Sequence, residues 1–200
     1  MSMGGVVLAA GRSSRMGESK ALLEIEGETF LERAIGILLE GGCCVVAAVL
    51  AAGEAARRPG ELARARGARP VENRIEGAQQ IDSLRIGLEA LPEDAEAAIA
   101  LPVDHPLADA QTVAALIRTF RSSGAPIVRP VYHGRPGHPV LFARVVWDEL
   151  ADPELAEGAR DVVHRHAEEI RDVPIDDRGV TVDVDTPEDY QREVAPRGPL

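Results

Sequence analysis

Gly5-Val6-Val7-Leu8-Ala9-Ala10-Gly11-Arg12-Ser13-Ser14-Arg15-Met16-Gly17-Glu18-Ser19-Lys20 is the stretch that decides the fold. Gly5 to Ala9 is apolar without alternation, as in a strand covered on both faces. A polar, glycine-bearing loop runs from Ala10 to Lys20. A helix follows: Thr29 and Glu32 form a capping box, and Phe30, Leu31, Ala34, Ile35, Leu38 and Leu39 make one apolar stripe that Gly41 ends. Strand, loop and helix in that order are one half of a parallel strand–helix–strand unit.

The remaining chain keeps the alternation. Residues 43–50 predict a second strand, 54–66 and 82–91 helices, and 97–101 a central strand running into Pro102-Val103-Asp104-His105-Pro106. Asp109 caps a helix with the stripe Val113, Leu116, Ile117 and Phe120, closed by Arg121 and Gly124. Residues 126–131 and 140–142 read as strands around a glycine- and proline-rich turn, with helices near 143–151 and 158–168. Strands are expected near 170–174 and 180–184. Thr186-Pro187-Glu188-Asp189 then opens a last helix, with proline in its first turn and Asp189 as capping acid. The pattern predicts an α/β, three-layer αβα architecture with a mostly parallel twisted sheet and helices on both faces. It spans residues 1–200 as one domain, with a disordered tail from about 195.

A net charge of -11 would repel a long phosphate backbone, so a nucleic-acid partner is not expected. It leaves a small nucleotide open, because a few cations and a metal reverse the field locally. Cys43 and Cys44 are the chain's two cysteines, and adjacent cysteines rarely pair. A reducing, cytoplasmic setting is therefore expected, with both thiols inside a buried strand. No apolar run approaches membrane-spanning length and no signal peptide is read, so no membrane partner is expected.

The loop after the first strand leaves the sheet edge where open α/β sheets bind ligands. Ala9, Ala10 and Gly11 let the backbone come close, and main-chain N–H groups there can cup phosphate oxygens. Arg15 and Lys20 can neutralise a triphosphate. The spacing matches neither Gly-x-x-x-x-Gly-Lys-Ser/Thr nor Gly-x-Gly-x-x-Gly, which excludes the kinase-type P-loop and the dinucleotide fingerprint. Asp104 ends a central strand at the same edge, where a carboxylate can hold Mg²⁺ against phosphates or merely cap a turn. Period-two alternation puts Val182 and Val184 on one face and Asp183 and Asp185 on the other. His164 and His166, two positions apart on a helix, point to different faces and read as surface residues. Arg135 and His138 stand on a rigid turn that could meet a substrate or be a plain hairpin.

The string Leu8-Ala9-Ala10-Gly11-x-Ser13-x-Arg15-Met16-Gly17-x-x-Lys20 resembles the signature of the MobA-like nucleotidyltransferases at each fixed position. The resemblance continues through Pro102–Pro106, Gly134–Phe142 and Asp183–Asp189. It is nearest in look to the molybdenum cofactor cytidylyltransferases, with Ala10 standing where guanylyltransferases tend to have glycine. The resemblance implies an enzyme that moves a nucleoside monophosphate, CMP from CTP, onto a phosphorylated acceptor, molybdopterin, with Mg²⁺ as cofactor. It implies nucleotide contacts from Leu8, Ala9, Ala10, Gly11, Arg12, Ser13, Ser14, Arg15, Lys20 and Ser83. It further implies Arg15, Lys20 and Asp104 as catalytic residues, Asp104 and Asp185 as metal ligands, and Arg135 and His138 on the acceptor side. A molybdoenzyme or a pterin-delivering protein is the macromolecular partner it admits. Gly77-Ala78-Gln79-Gln80-Ile81-Asp82-Ser83 resembles instead the methylerythritol phosphate cytidylyltransferases. An isoprenoid-precursor, sugar or polyol phosphate therefore stays open as acceptor. So do two non-enzymatic readings: a maturation factor that binds nucleotide or pterin without turnover, and a phosphate-binding regulatory module.

Overall fold

The computed structural model describes residues 2–11 and 19–194. Arg12, Ser13, Ser14 and Arg15, and the tail from about 195, lie outside the described residues.

Strands β1 (Ser2–Ala9), β4 (Val45–Ala51), β5 (Arg69–Asn73), β6 (Ala95–Pro102), β7 (Ile127–Tyr132), β9 (Val140–Ala143) and β10 (Arg171–Pro174) form one sheet, with the two-residue β8 (Arg135–Pro136) paired to β7. A separate hairpin joins β2 (Glu24–Ile25) to β3 (Glu28–Thr29). The strand order in the main sheet is β10-β7-β9-β6-β1-β4-β5. β5, β4, β1 and β6 pair in parallel, as do β7 and β10, while β9 runs antiparallel between β6 and β7. β1 registers Val7 against Ala48 on one side and Leu101 on the other. The chain steps outward from β1 to β4 and β5, then crosses back to β6. The carboxyl ends of β1 and β6 therefore lie side by side at a switch point of the strand order, where such sheets open a crevice.

Helices α1 (Phe30–Glu40), α2 (Arg57–Ala65) and α4 (Ala110–Ser123) cover one face; α3 (Gln80–Glu89), α5 (Trp147–Leu150) and α6 (Ala159–Arg165) cover the other, and α7 (Pro187–Glu193) closes the chain. Side chains sort by the two-residue period: Met3, Val7, Ala97, Ile99 and Leu101 enter the α1–α4 core, and Val6, Ala98 and Ala100 the α3–α5 core. The capping box of Thr29 and Glu32, the Asp109 cap and the Thr186–Asp189 box all form. Gly124 takes the left-handed C-terminal position at φ 65°. At the end of α1 that conformation falls on Gly42, φ 111°, and Gly41 stays right-handed. Among the described residues no helix is long and apolar enough to cross a membrane.

Several elements depart from the sequence reading. β5 was not expected, because Arg69 and Pro70 look unlike a strand; it is tolerated as the sheet's outer strand, where one ladder side needs no donor. Cys43 is buried, its thiol pushed up to about 12 chiefly by burial, but Cys44 precedes β4 and is exposed. The expected strand at 180–184 is a 3-10 turn, Arg178–Thr181, followed by extended chain outside the sheet. Its backbone is satisfied by loops: Val184 N–H donates to the Asp104 carbonyl at 2.8 Å, and the Val180 carbonyl accepts from His138 N–H at 2.8 Å. Alternation still holds, with Val182 and Val184 buried and Asp183 exposed.

His164 is exposed, as expected, whereas His166 is half-buried and bridges Glu149 at 2.7 Å and Glu169 at 2.9 Å. Those hydrogen bonds, Glu149 first, raise its pKa above the ordinary 6.5. A pKa raised by folding adds stability that is complete below the unfolded value and fades as pH climbs through the folded one. The melting temperature of the native chain should therefore fall from pH 6 to pH 8 by more than that of His166→Gln. Equal falls in differential scanning calorimetry would count against the bridge.

Candidate active site

Lys20 heads the 3-10 turn Lys20–Leu22 at the far end of the loop after β1. Asp104 follows the end of β6, where Val103 N–H donates to the Leu8 carbonyl at 3.1 Å and so ties the Asp104 loop to β1. Asp185 arrives on the extended segment before α7, pinned beside Asp104 by the Val184 hydrogen bond. The three side chains meet. Lys20 Nζ lies 3.3 Å from Asp104 Oδ2 and donates a short hydrogen bond to Asp185 Oδ1. Burial alone would lower the Lys20 pKa, but the hydrogen bond to Asp185 and the charges of both acids outweigh it, and the net shift is upward. The ammonium therefore stays charged across the physiological range.

One cavity collects Leu8, Ala9, Ala10, Gly11, Lys20, Ser83 and Asp104. Each described residue expected to meet a nucleotide thus faces one space, and Asp185 joins it through Lys20. Ser83 belongs to the first turn of α3, whose amino end is held by Gln79 N–H donating to the Asp82 carboxylate at 2.8 Å. Its hydroxyl accepts from Asn73 Nδ2 at 3.0 Å, and both side chains are buried. The Asn73 carbonyl oxygen accepts from Ile75 N–H at 3.0 Å, which fixes which end of the amide faces Ser83. Sequence reasoning missed Asn73 because it missed β5; the signal was a polar residue at the carboxyl end of a parallel strand.

A second cavity of about 490 Å³ shares Leu8, Gln79, Gln80 and Pro102 with the first. Ile81, Leu84, Ala100, Val140 and Phe142 make its apolar wall, and His138, Glu157 and Arg160 supply its polar rim. The structure brings His138 here. Arg135 is exposed on β8 and is not among the residues lining these two cavities. The His138 and His105 rings face each other at 4.5 Å between centroids. Burial, then His105 and Arg160, pushes the His138 pKa down to about 3. Burial also lowers that of His105, against the pull of Asp104, Asp183 and Asp185. Both rings are thus neutral near pH 7, and among the described residues lining this cavity positive charge comes from Arg160. Arg160 sits on α6, far from the loop in sequence, and no local pattern marked it.

Two carboxylates sharing one cation suit a divalent metal completed by phosphates and water better than an all-protein cage. Among the described residues no group of three or more His, Cys, Asp or Glu could hold a metal alone. The Lys20 ammonium shows that one cation can reach an oxygen of each acid.

The profile of the MobA-like NTP transferase domain matches residues 5–170. The chain belongs to the MobA-like NTP transferase family. As a member it is a nucleotidyltransferase. A probable molybdenum cofactor guanylyltransferase of Mycolicibacterium paratuberculosis is 31% identical over 163 residues, 80% of this chain and 78% of that protein. The crystal structure of Rv0371c from Mycobacterium tuberculosis H37Rv is 31% identical, with a TM-score of 0.79 over 96% of both chains. A structure of Rv0371c in complex with manganese superposes with a TM-score of 0.77 at 28% identity, covering 97% of this chain and 98% of that one.

Proposed function

We propose that this MobA-like nucleotidyltransferase, acting as one domain, moves CMP from CTP onto the phosphate of molybdopterin and releases pyrophosphate. The observation that carries the reading is the meeting of Lys20, Asp104 and Asp185 at the mouth of the cavity formed by Leu8–Gly11. In the proposed reaction an acceptor phosphate oxygen forms a bond to the α-phosphorus. The bond from that phosphorus to the bridging oxygen breaks, and its electron pair leaves with pyrophosphate. The acceptor oxygen is already ionised, so no strong general base is needed, and positioning with charge neutralisation does the catalysis. Main-chain N–H groups near Ala10 and Gly11, together with Arg12, Ser13, Ser14 and Arg15, would hold the triphosphate. Lys20 and Arg15 would offset charge growing on the leaving pyrophosphate. Asp104 and Asp185 would hold Mg²⁺, which supplies Lewis-acid neutralisation when bound. A manganese complex of Rv0371c supports a divalent ion in this fold. The exposed Cys44 thiol suits a reducing cytoplasm.

The second cavity supports a ring-bearing acceptor over a sugar or polyol phosphate. A polyol would leave its hydroxyls against Ile81, Leu84, Val140 and Phe142 without partners, whereas a flat heterocycle can cover that wall. Arg160 and His138 would then serve its polar groups, with Arg135 a more distant candidate. Ala10, which lines the cavity, favours CTP because guanylyltransferases tend to have glycine there. The names of the curated relatives favour GTP as a second reading.

Pyrophosphate release measured with each of the four NTPs, Mg²⁺ and molybdopterin tests the proposal. CTP is expected to give the fastest release; GTP fastest would select the second reading, and no release with any NTP would reject both. Arg160→Ala is expected to raise the acceptor KM about tenfold to a hundredfold, the cost of one charge-assisted contact, with little change in the nucleotide KM. An unchanged acceptor KM would remove Arg160 from that site.

A further inference from the structure

We propose that Lys20 is the resident counter-ion of the Asp104–Asp185 pair in the free protein, and that it leaves both acids for the triphosphate as a divalent cation enters. The free protein then holds metal poorly, and metal and nucleotide bind as a pair. The inference rests on the nucleotidyltransferase reading of the cleft. Its starting point is geometric. Lys20 Nζ touches Asp104 Oδ2 and Asp185 Oδ1 together, so it stands where a shared metal would have to be. An ammonium and a divalent ion cannot occupy one position between the same oxygens, because like charges at such separations repel strongly in a partly buried site. The three side chains are mostly covered, at 16%, 27% and 38% exposed for Lys20, Asp104 and Asp185, which limits screening by solvent.

The lysine also has somewhere to go. It lines the same cavity as Ala10 and Gly11, and its flexible four-carbon stem can swing from the acids to the phosphates while the turn Lys20–Leu22 stays in place. Charge bookkeeping favours the exchange only when both ligands are present. A divalent ion without nucleotide must expel the ammonium into water, losing its contacts to both acids. With a triphosphate in the cavity the expelled ammonium meets new anionic oxygens instead, so each ligand strengthens the other.

Binding of Mn²⁺ to the full chain, followed by electron paramagnetic resonance of the free ion, tests this without turnover. Native protein, Lys20→Met and Lys20→Gln are titrated alone and with α,β-methylene CTP or GTP, with Asp104→Asn as the site control and thermal melts as the folding control. Without nucleotide, both Lys20 variants should bind Mn²⁺ about tenfold tighter than native protein, the effect of removing one competing charge from a partly buried pair. The native chain should gain more from the nucleotide analogue than either variant. Equal or weaker Mn²⁺ binding by the two folded variants overturns the counter-ion role, even where the native chain forms a ternary complex that Asp104→Asn abolishes and the cleft reading survives. Failure of the native chain to form that ternary complex overturns the cleft reading together with this inference.

Discussion

Asp104→Asn is expected to reduce turnover by about a thousandfold while the fold persists, since removing one carboxylate from a charge-neutralising site typically takes several kcal/mol from the transition state. Asparagine keeps the shape and one oxygen but loses the charge that attracts a cation. The Asp104 side chain is 27% exposed and its backbone stays tied, through its own carbonyl, to Val184 N–H. Loss of the partly exposed ion pair to Lys20 should therefore change unfolding stability by no more than about 1 kcal/mol. The measurements are steady-state pyrophosphate release and a urea melt on the same preparation. Turnover within threefold of native would remove Asp104 from the reaction. A large stability loss would make it a structural residue instead.

The second large effect lies away from the chemistry. A Cβ on Gly179 would press into the Leu107 carbonyl group and come within 2.9 Å of Ala108 N, all main-chain atoms that cannot rotate aside. A Cβ on Gly137 would likewise meet the Val180 carbonyl. These close approaches let the 177–185 segment lie along the Asp104–Asp109 loop. Asp177 locks it there, its carboxylate accepting from Asp109 N–H at 3.0 Å, Thr112 Oγ1 at 2.9 Å and Gly179 N–H at 2.8 Å. Gly179→Ala is expected to cost about 2–4 kcal/mol of stability, the range for forced overpacking against fixed atoms. It should also depress activity in the fraction that folds, because Asp185 is displaced from Asp104. Gly36→Ala is the control. Its Cβ would meet nothing nearer than the flexible Arg66 side chain at 3.6 Å, inside helix α1. That change should raise stability by about 0.5–1 kcal/mol. A neutral Gly179→Ala in calorimetry would show that the segment can shift without cost.

The sheet was legible wherever strands are buried on both faces. Val6–Ala9 and Ala97–Leu101 announce themselves by unbroken apolar runs, and Thr29, Asp109 and Thr186 mark helix starts by local chemistry that needs no tertiary partner. β5 stayed hidden because an outer strand can carry Arg69 and Pro70 without penalty. Val180–Val184 imitated a strand because alternate valines are buried there, yet its hydrogen bonds run to loops, which sequence period does not encode. In the candidate site, composition and position pointed to Leu8–Gly11 and Lys20, which line one cavity. That Asp104 and Asp185, so distant along the chain, share Lys20 depends on the crossing from β5 back to β6 and on Gly179, and neither leaves a local mark. Arg160 was unreadable for the same reason, and Asn73 went unseen together with β5. Their importance comes from what the fold sets beside them, Phe142 and His138 in one case and Ser83 in the other.

The central claim is that Asp104 and Asp185 serve one cation. A double-mutant cycle on kcat/KM for the nucleotide, with Asp104→Asn, Asp185→Asn and the pair, measures it directly. If the two acids share one ion, the double variant should be little worse than the poorer single variant, since the first substitution already removes what the second would disturb. Losses that multiply would mean two independent contributions, and the shared-cation site would be contradicted.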